Sequence, residues 1–242
     1  MDLQHLYSKI RKAIDDYKMI DDGDKIAVGI SGGKDSLTLL MALAGLRRFY
    51  PAKFDLCAIT VDLGFQNLDL DKVSELCNSL NVPYHIIKTD IADIVFNIRK
   101  EDNPCSLCAK MRKGALNTAI KDLGCNKVAY AHHMDDVVET MLMSLFYEGR
   151  IHTFSPVTYL DRMDITVIRP MIYMKEADVI GFVNKNNLPV VKSPCPADGY
   201  TKREYAKELL SQINRENPGV KDRMFSAIKD STIKGWNING IQ

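Results

Sequence analysis

Six residues near the start of the chain, Ser31-Gly32-Gly33-Lys34-Asp35-Ser36, combine the residue types that hold a phosphate. They follow a short apolar run (Ile26, Val28, Ile30) and lead into Leu37–Leu46, which reads as an amphipathic helix. The glycines let the backbone turn tightly and bring N–H groups close to an anion. Ser36 and the first helical turn offer unpaired N–H donors at the positive end of a helix dipole. Lys34 supplies a mobile point charge for anionic oxygens. The spacing excludes the Walker A loop, Gly-x-x-x-x-Gly-Lys-Ser/Thr, because residue 28 is Val and Asp35 follows the lysine. It also excludes Gly-x-Gly-x-x-Gly. The bland alternative is an ordinary glycine-rich strand-to-helix turn.

A second chemical element is Cys105-Ser106-Leu107-Cys108, which opens a helical pattern continuing through Lys110, Arg112 and Lys113. Two thiolates at this spacing can ligate one metal centre, helped by the helix N-terminus that stabilises their charge. By itself the pair fits a redox couple, half a zinc site, part of an iron–sulfur site or two core cysteines. A structural zinc wants four protein ligands, and no second CxxC occurs. Of the other cysteines, Cys57 lies in a strand pattern, Cys77 on an apolar helix face and Cys125 at a helix end. Those three read as small buried hydrophobes. Cys195 differs, because Pro194, Pro196 and Gly199 frame it in a loop where a packing role is weak. Three thiolates, Cys105, Cys108 and Cys195, suit an iron–sulfur cluster with one iron left open. A thioredoxin-like redox pair is the main competitor.

The third element is His132-His133-Met134-Asp135-Asp136, at a strand-to-helix junction. Asp135, with Asp136 as alternative, can serve as acid, base or Mg²⁺ ligand. The same sequence also suits a plain capped helix, since Asp is favoured in a first turn. His132 and His133 fit turn residues as well. Arg112 and Lys113 can be a solvated helix face, although they follow a cysteine site. Arg169, before Pro170, suits a strand ion pair or a substrate contact, and Lys202-Arg203 suits a phosphate backbone.

These residues need elements to position them. Strands are expected near 25–30, 55–61, 84–88, 127–131 and 165–172. Helices are expected near 35–48, 69–80, 107–122 and 134–147, after an N-terminal helix. Apolar β-rich runs alternating with helical patterns argue for an α/β fold, a parallel sheet sandwiched by helices. Ligands of such sheets sit beyond the carboxyl ends of the strands, where the phosphate loop, Val61-Asp62 and His132-His133 would all lie. From residue 175 onward the pattern turns helical (175–186, 201–215, 218–229). The expected organisation is an N-terminal helix at 1–23, a nucleotide-binding domain at 24–174 and a C-terminal helical extension at 175–242 that carries the third cysteine.

At 242 residues and 46% hydrophobic residues, the chain can bury a sizeable core. A net charge of +1 says little about partners by itself, and the local basic clusters, Arg47-Arg48 and Lys221/Arg223 among them, each read as a solvated helix face in preference to a nucleic-acid site. No signal-type segment or apolar run of ~18 residues occurs, so a cytoplasmic protein without a membrane partner is expected. Its six cysteines are then thiols or metal ligands in preference to disulfides.

SGGKDS after a hydrophobic strand resembles the PP-loop of the ATP pyrophosphatases, which cleave ATP to AMP and pyrophosphate. Together with CSLCAKMRKG at 105–114, AHHMDDVVET at 131–140, LFYEG at 145–149 and VIRPMIYMKEAD at 167–178, the chain resembles the tRNA 2-thiocytidine synthetases. The resemblance covers nearly the whole chain. It implies an adenine nucleotide alpha hydrolase-like PP-loop fold and an enzyme that replaces the C2 oxygen of cytidine 32 in tRNA with sulfur. It further implies a 4Fe–4S cluster held by Cys105, Cys108 and Cys195. Relatives often carry a second CxxC at the last position, where Asp198 stands here. The fourth iron would be open for sulfide or capped by Asp198.

On that resemblance, Ser31, Gly32, Gly33, Lys34, Asp35 and Ser36 would hold the ATP phosphates. Val61 and His133 would complete the nucleotide site, Asp135 would serve the chemistry or Mg²⁺, and Arg112 would steady a developing oxyanion. The expected partners are tRNA, ATP and a sulfur donor, either sulfide or a cysteine desulfurase persulfide, with a homodimer by analogy. Competing readings are a 2-thiouridine-type PP-loop enzyme, which needs zinc-binding fingers that too few cysteines are present to form, a lysidine-type ligase, and a non-catalytic nucleotide or iron–sulfur module.

Overall fold

The computed structural model describes residues 1–66, 68–100, 104–192, 194–196 and 202–237. The apolar run at 25–30 forms β1 (Asp24–Gly29), the strand on which the site is built. Ile26, Ala27 and Val28 are all fully buried, as expected where helices cover both faces of a parallel sheet. β1 pairs in parallel with β2 (Phe54–Asp62) on one side and β4 (Lys127–Ala129) on the other, with Val28 opposite both Ala58 and Ala129. β3 (Tyr84–Lys88) extends the sheet beyond β2, and β6 (Ile165–Ile168) extends it beyond β4. The order is β3-β2-β1-β4-β6-β5, with β5 (Val157–Leu160) antiparallel at the edge.

Side chains alternate between the faces with the period of two that a strand imposes. Ile26, Val28, Leu56, Ala58 and Ile168 join the larger core, under α1 (Leu3–Asp16), α2 (Lys34–Leu46), α3 (Asp71–Ser79) and α5 (Met134–Glu148). Ala27, Cys57, Ile59, Val128 and Val167 face Leu116, Ala119 and Ile120 of α4 (Pro104–Asp122). Cys57, Cys77 and Cys125 are all buried, and the Sγ atoms of Cys57 and Cys125 lie 3.4 Å apart. The later helices α6 (Glu176–Asn186), α7 (Lys202–Glu216) and α8 (Val220–Lys229) pack on α2 and α5. Trp236 follows them into the core, fully buried against Tyr17 and Phe225. No helix among the described residues is long and apolar enough to cross a membrane.

Three local expectations differ from the structure. α2 is not amphipathic: Leu37, Leu39, Leu40, Leu43 and Leu46 are fully buried, because α1 and α6 cover the side turned away from the sheet. The last strand stops at Ile168 instead of 172: the Arg169 amide still donates to the Pro156 carbonyl at 3.0 Å, but Pro170 has no N–H to continue the ladder. A π-helical turn at Asp93–Arg99 and the edge strand β5 stand where no element was expected.

Candidate active site

The chain from β1 crosses to β2 on one side, whereas β4 lies on the other, so the sheet has a switch point between β1 and β4. Loops at the carboxyl ends of these two strands therefore flank a crevice. The first is Ile30–Gly33. Gly32 sits at φ +80°, a conformation that favours glycine, and a Cβ there would stand 3.1 Å from Cβ of Val191. The Ser31 hydroxyl accepts from the Gly33 amide at 3.2 Å, and the Ser36 hydroxyl donates to the Gly33 carbonyl at 2.9 Å. α2 begins with Gly33 as N-cap and no side chain caps it. Its first turn thus points toward the crevice in the manner of an anion site.

Lys34 is held between carboxylates, 3.0 Å from Asp35 and 3.2 Å from Glu176. Burial works to lower its pKa, but Asp35 and Glu176 outweigh burial and raise it. Glu176 also takes Lys207 of α7 at 2.9 Å. Burial opposes ionisation of Glu176, yet Lys207 and Lys34 hold its carboxyl down to about 2. Asp35 is engaged through one oxygen, whereas its Oδ1 is buried with no hydrogen-bond partner.

The second loop leads from β4 through His133 into α5. His133 is the N-cap: its Nδ1 accepts from the Asp136 amide at 3.4 Å while Asp136 accepts from the His133 amide at 2.9 Å. With Nδ1 an acceptor, the neutral ring carries its proton on Nε2, which stands 3.7 Å from Oδ1 of Asp35. Asp135 is 5% exposed and fully engaged, accepting from the Glu176 amide at 2.8 Å and from Lys221 at 2.9 Å. It joins α5 to the starts of α6 and α8. Asp136 takes Arg203 at 2.9 Å, and Arg203 reaches Glu139 at 3.5 Å. Burial, then the nearby Asp136 carboxylate, push Glu139 up to about 7.

Pro104 opens α4, where its missing N–H costs nothing. Cys105 is exposed and Cys108 half-buried one turn later, with Arg112 a further turn along the same face. Burial raises the Cys108 pKa, Arg112 pulls it back, and Cys195 and Cys105 raise it again, so Cys108 lies within electrostatic reach of all three. Cys195 is carried by the segment after α6, which is fastened to the phosphate loop: the Val191 amide donates to the Gly32 carbonyl at 2.9 Å. Among the described residues no three His, Cys, Asp or Glu side chains stand close enough to hold a metal ion. The donor set itself, three thiols of which Cys108 feels Arg112, Cys195 and Cys105, has the chemistry of a three-cysteine cluster site. Asp198 lies outside the described residues.

A family model described as a PP-loop domain matches residues 3–212. The tRNA-cytidine(32) 2-sulfurtransferase of Geobacter sulfurreducens is 40% identical over 229 residues, 92% of this chain and 89% of the relative. The protein of the same name from Pelobacter propionicus is 39% identical over 230 residues, 94% and 86% of the two chains. The chain belongs to the tRNA 2-thiocytidine synthetase family of PP-loop enzymes. The fold agrees with the structure of the U34-tRNA thiolase NcsA from Methanococcus maripaludis with its [4Fe-4S] cluster. That likeness has a TM-score of 0.76 at 24% identity, covering 93% of this chain and 76% of the other.

In the PP-loop site, then, Ser31–Ser36, His133 and Asp135 share one crevice, and the Cys195 segment bonds to the loop through Val191. Val61 is the penultimate residue of β2, opposite Ile87, partly buried on the face covered by α4. Sequence reasoning missed Glu176, Lys207 and Lys221, whose partners lie 31 to 142 residues away in other elements. Lys221 looked like part of a solvated cluster, and Arg203 like a phosphate contact. Arg203 instead pairs with Asp136 and Glu139, and Lys202 lies over the Tyr147 ring at 4.5 Å.

Proposed function

We propose that this chain is an ATP-dependent tRNA sulfurtransferase that adenylates the C2 oxygen of cytidine 32 and replaces that oxygen with sulfur. The observation that carries the reading is the Val191–Gly32 hydrogen bond, which ties the Cys195 segment to the phosphate loop. A phosphate-binding loop tied to the segment that carries one of three candidate ligand thiols suits a reaction in which ATP prepares a leaving group and sulfur displaces it.

A carbonyl oxygen is a poor leaving group. When it attacks the α-phosphate of ATP, an O–P bond forms, the bond to pyrophosphate breaks, and AMP becomes the group that leaves as sulfur adds at C2. Such chemistry depends on positioning and on neutralising charge. The Ser31–Ser36 loop, shaped by the Ser31 and Ser36 hydroxyls that accept from the Gly33 and Ser31 amides, and the uncapped start of α2 hold the phosphates. Lys34, fully charged between Asp35 and Glu176, turns to the departing pyrophosphate. The unpartnered Oδ1 of Asp35 is the oxygen best suited to a Mg²⁺ ion, which would neutralise phosphate charge. Arg112, whose charge acts on Cys108, would steady negative charge that develops on the nucleotide side of the thiols. His133 and Val61 border the nucleotide, and Asp135 sets the approach of α5, α6 and α8 around it.

Cys105, Cys108 and Cys195 would hold a 4Fe–4S cluster, which when bound supplies a thiophilic position for the incoming sulfur. Sulfide or a cysteine desulfurase persulfide is the donor, and the reaction belongs to the cytoplasm. Protein loaded anaerobically and given ATP, tRNA and sulfide should release AMP and pyrophosphate only with tRNA present and yield 2-thiocytidine by mass spectrometry. Cys105→Ala should lose both thiolation and the visible cluster absorption. Retained ATP binding with no tRNA-dependent turnover in loaded wild-type protein would refute the reading.

A further inference from the structure

Four side chains at the carboxyl ends of β4 and β6 are left unused by this chemistry. Tyr130 and His132 follow β4, Arg169 follows β6, and Phe154 lies just before β5. The rings of His132 and Phe154 are 4.7 Å apart, Tyr130 lies 5.8 Å from His132, and the Arg169 guanidinium sits over Phe154 at 4.9 Å. The group is well held. Trp236 donates to the Phe154 carbonyl at 3.1 Å, and Nη1 of Arg169 donates to the Ser155 carbonyl at 2.6 Å and to Thr158 at 3.2 Å.

Two atoms of the group are nevertheless unsatisfied. Arg169 is 9% exposed and its Nε–H has no acceptor; Nδ1 of His132 is buried with no partner. Each such atom costs about 1–3 kcal/mol when left unpaired. Both belong to residues packed on one aromatic ring. Tyr130 also lies in the fields of both Arg169 and Arg112, so the group adjoins the arginine beside the cysteines.

We propose that Tyr130, His132, Phe154 and Arg169 receive the target cytosine, Arg169 Nε–H donating to N3 and His132 Nδ1 accepting from the exocyclic amine. This assignment rests on the sulfurtransferase reading. Enzymes that modify a base take it out of the stack and hold it against aromatic or apolar side chains, reading its Watson–Crick edge. Here the C2 oxygen must stay free to react, so the reader must use N3 and the 4-amino group. A guanidinium N–H only donates. Burial, then Arg169, hold His132 down to about 4, so its ring is neutral and one nitrogen is an acceptor. Cytosine matches both atoms. Uracil, with N3–H and O4, would set donor against donor and acceptor against acceptor. A site built on hydrogen bonds to a substrate rejects one that leaves them unpaired by factors up to about 10⁴–10⁵.

The test uses two tRNA transcripts that differ only in having C or U at position 32, with full-length, anaerobically loaded protein. Pyrophosphate release gives kcat/KM for each, and filter binding gives Kd. Wild-type protein should favour C32 by about 10²-fold or more. His132→Phe, which keeps the ring and removes the acceptor, and Arg169→Lys, which keeps the charge and removes the Nε–H, should each cut that ratio at least tenfold. ATP affinity should stay as in wild type, whereas the thermal midpoint should fall in Arg169→Lys, which also loses the Nη1 bonds to Ser155 and Thr158. A merely structural role would weaken turnover of both transcripts alike and leave their ratio unchanged. Folded variants with an unchanged C/U ratio would overturn the proposal. Wild-type protein that turns over neither transcript would sink the sulfurtransferase reading instead. In that case equal Kd values for the two transcripts would overturn this one too.

Discussion

Replacing Glu139 by Gln should remove a stability loss that the wild-type chain suffers on going from acid to mildly alkaline pH. Glu139 is 4% exposed on α5, and burial with the Asp136 carboxylate pushes it from 4.5 up to about 7, despite Arg203 and Lys207. The folded state therefore holds a proton that the unfolded chain releases between those two values. Unfolding free energy falls as pH rises wherever the native state binds more protons. Stability tied to the protonated carboxyl is thus complete below 4.5 and gone above about 7. At 1.36 kcal/mol per pH unit, the gap amounts to about 3 kcal/mol. Urea unfolding of both proteins at pH 5 and pH 8 isolates the group, because other titrations cancel in the difference. The two proteins should be nearly equal at pH 5, and Glu139→Gln should be more stable by about 3 kcal/mol at pH 8. Parallel pH dependences would show that Arg203, 3.5 Å away, already keeps Glu139 ionised.

Glu176 should behave in the opposite sense. Its carboxyl is held at about 2 by Lys207 and Lys34, so its contribution is present above 4.5 and lost as pH falls toward 2, about 3 kcal/mol in all. Glu176→Gln should lose that stability at pH 7 and flatten the acid limb of the unfolding profile, read by urea titration. Lys221→Ala should cost about 3–5 kcal/mol, since it strands Asp135, whose side chain is 6% exposed. Adding Asp135→Asn should restore part of the loss in the same assay. Gly32→Ala should cost about 1–2 kcal/mol for its left-handed backbone and press on Val191, weakening ATP binding measured by calorimetry. In alkylation followed by mass spectrometry, exposed Cys105 should react first. Cys77, raised by burial to about 11, and Cys57, raised by its hydrogen bond to Cys125 and by burial, should react only on unfolding.

The phosphate loop was legible because its chemistry is local: strand, glycines, lysine and helix start are consecutive, and their roles follow from backbone geometry. That Cys195 stays out of the core, unlike Cys57, Cys77 and Cys125, was legible for the opposite reason, since a thiol framed by prolines has little packing to do. The capping role of Asp136 is also local, a three-residue spacing from His133. What the sequence concealed is pairing across the fold. Nothing around residue 34 announces Glu176, and nothing around Asp135 announces Lys221, because a salt bridge between distant elements leaves no periodic trace. The even burial of α2 was concealed for the same reason. Its leucines look like one apolar stripe until α1 and α6 cover the other side. β5 has four residues, two of them Val157 and Leu160 at its ends, too short a run to show alternation.

These cross-fold pairs bear on whether the segment after residue 174 is an attachment or part of the site. Each of its pieces supplies something the nucleotide-binding part lacks. The start of α6 offers the amide that Asp135 accepts and the carboxylate that faces Lys34. The segment beyond α6 lends Val191 to the phosphate loop and carries Cys195. α7 brings Lys207 to Glu176 and Arg203 to Asp136, and α8 brings Lys221 to Asp135. A chain lacking these helices would strip Asp135 of both its partners and leave Leu37–Leu46 bare on one side. The bared apolar side chains are worth roughly 1.5–3 kcal/mol each. The C-terminal helices and the segment beyond α6 are therefore packed into the surroundings of the phosphate loop, with which they share ion pairs and a backbone hydrogen bond.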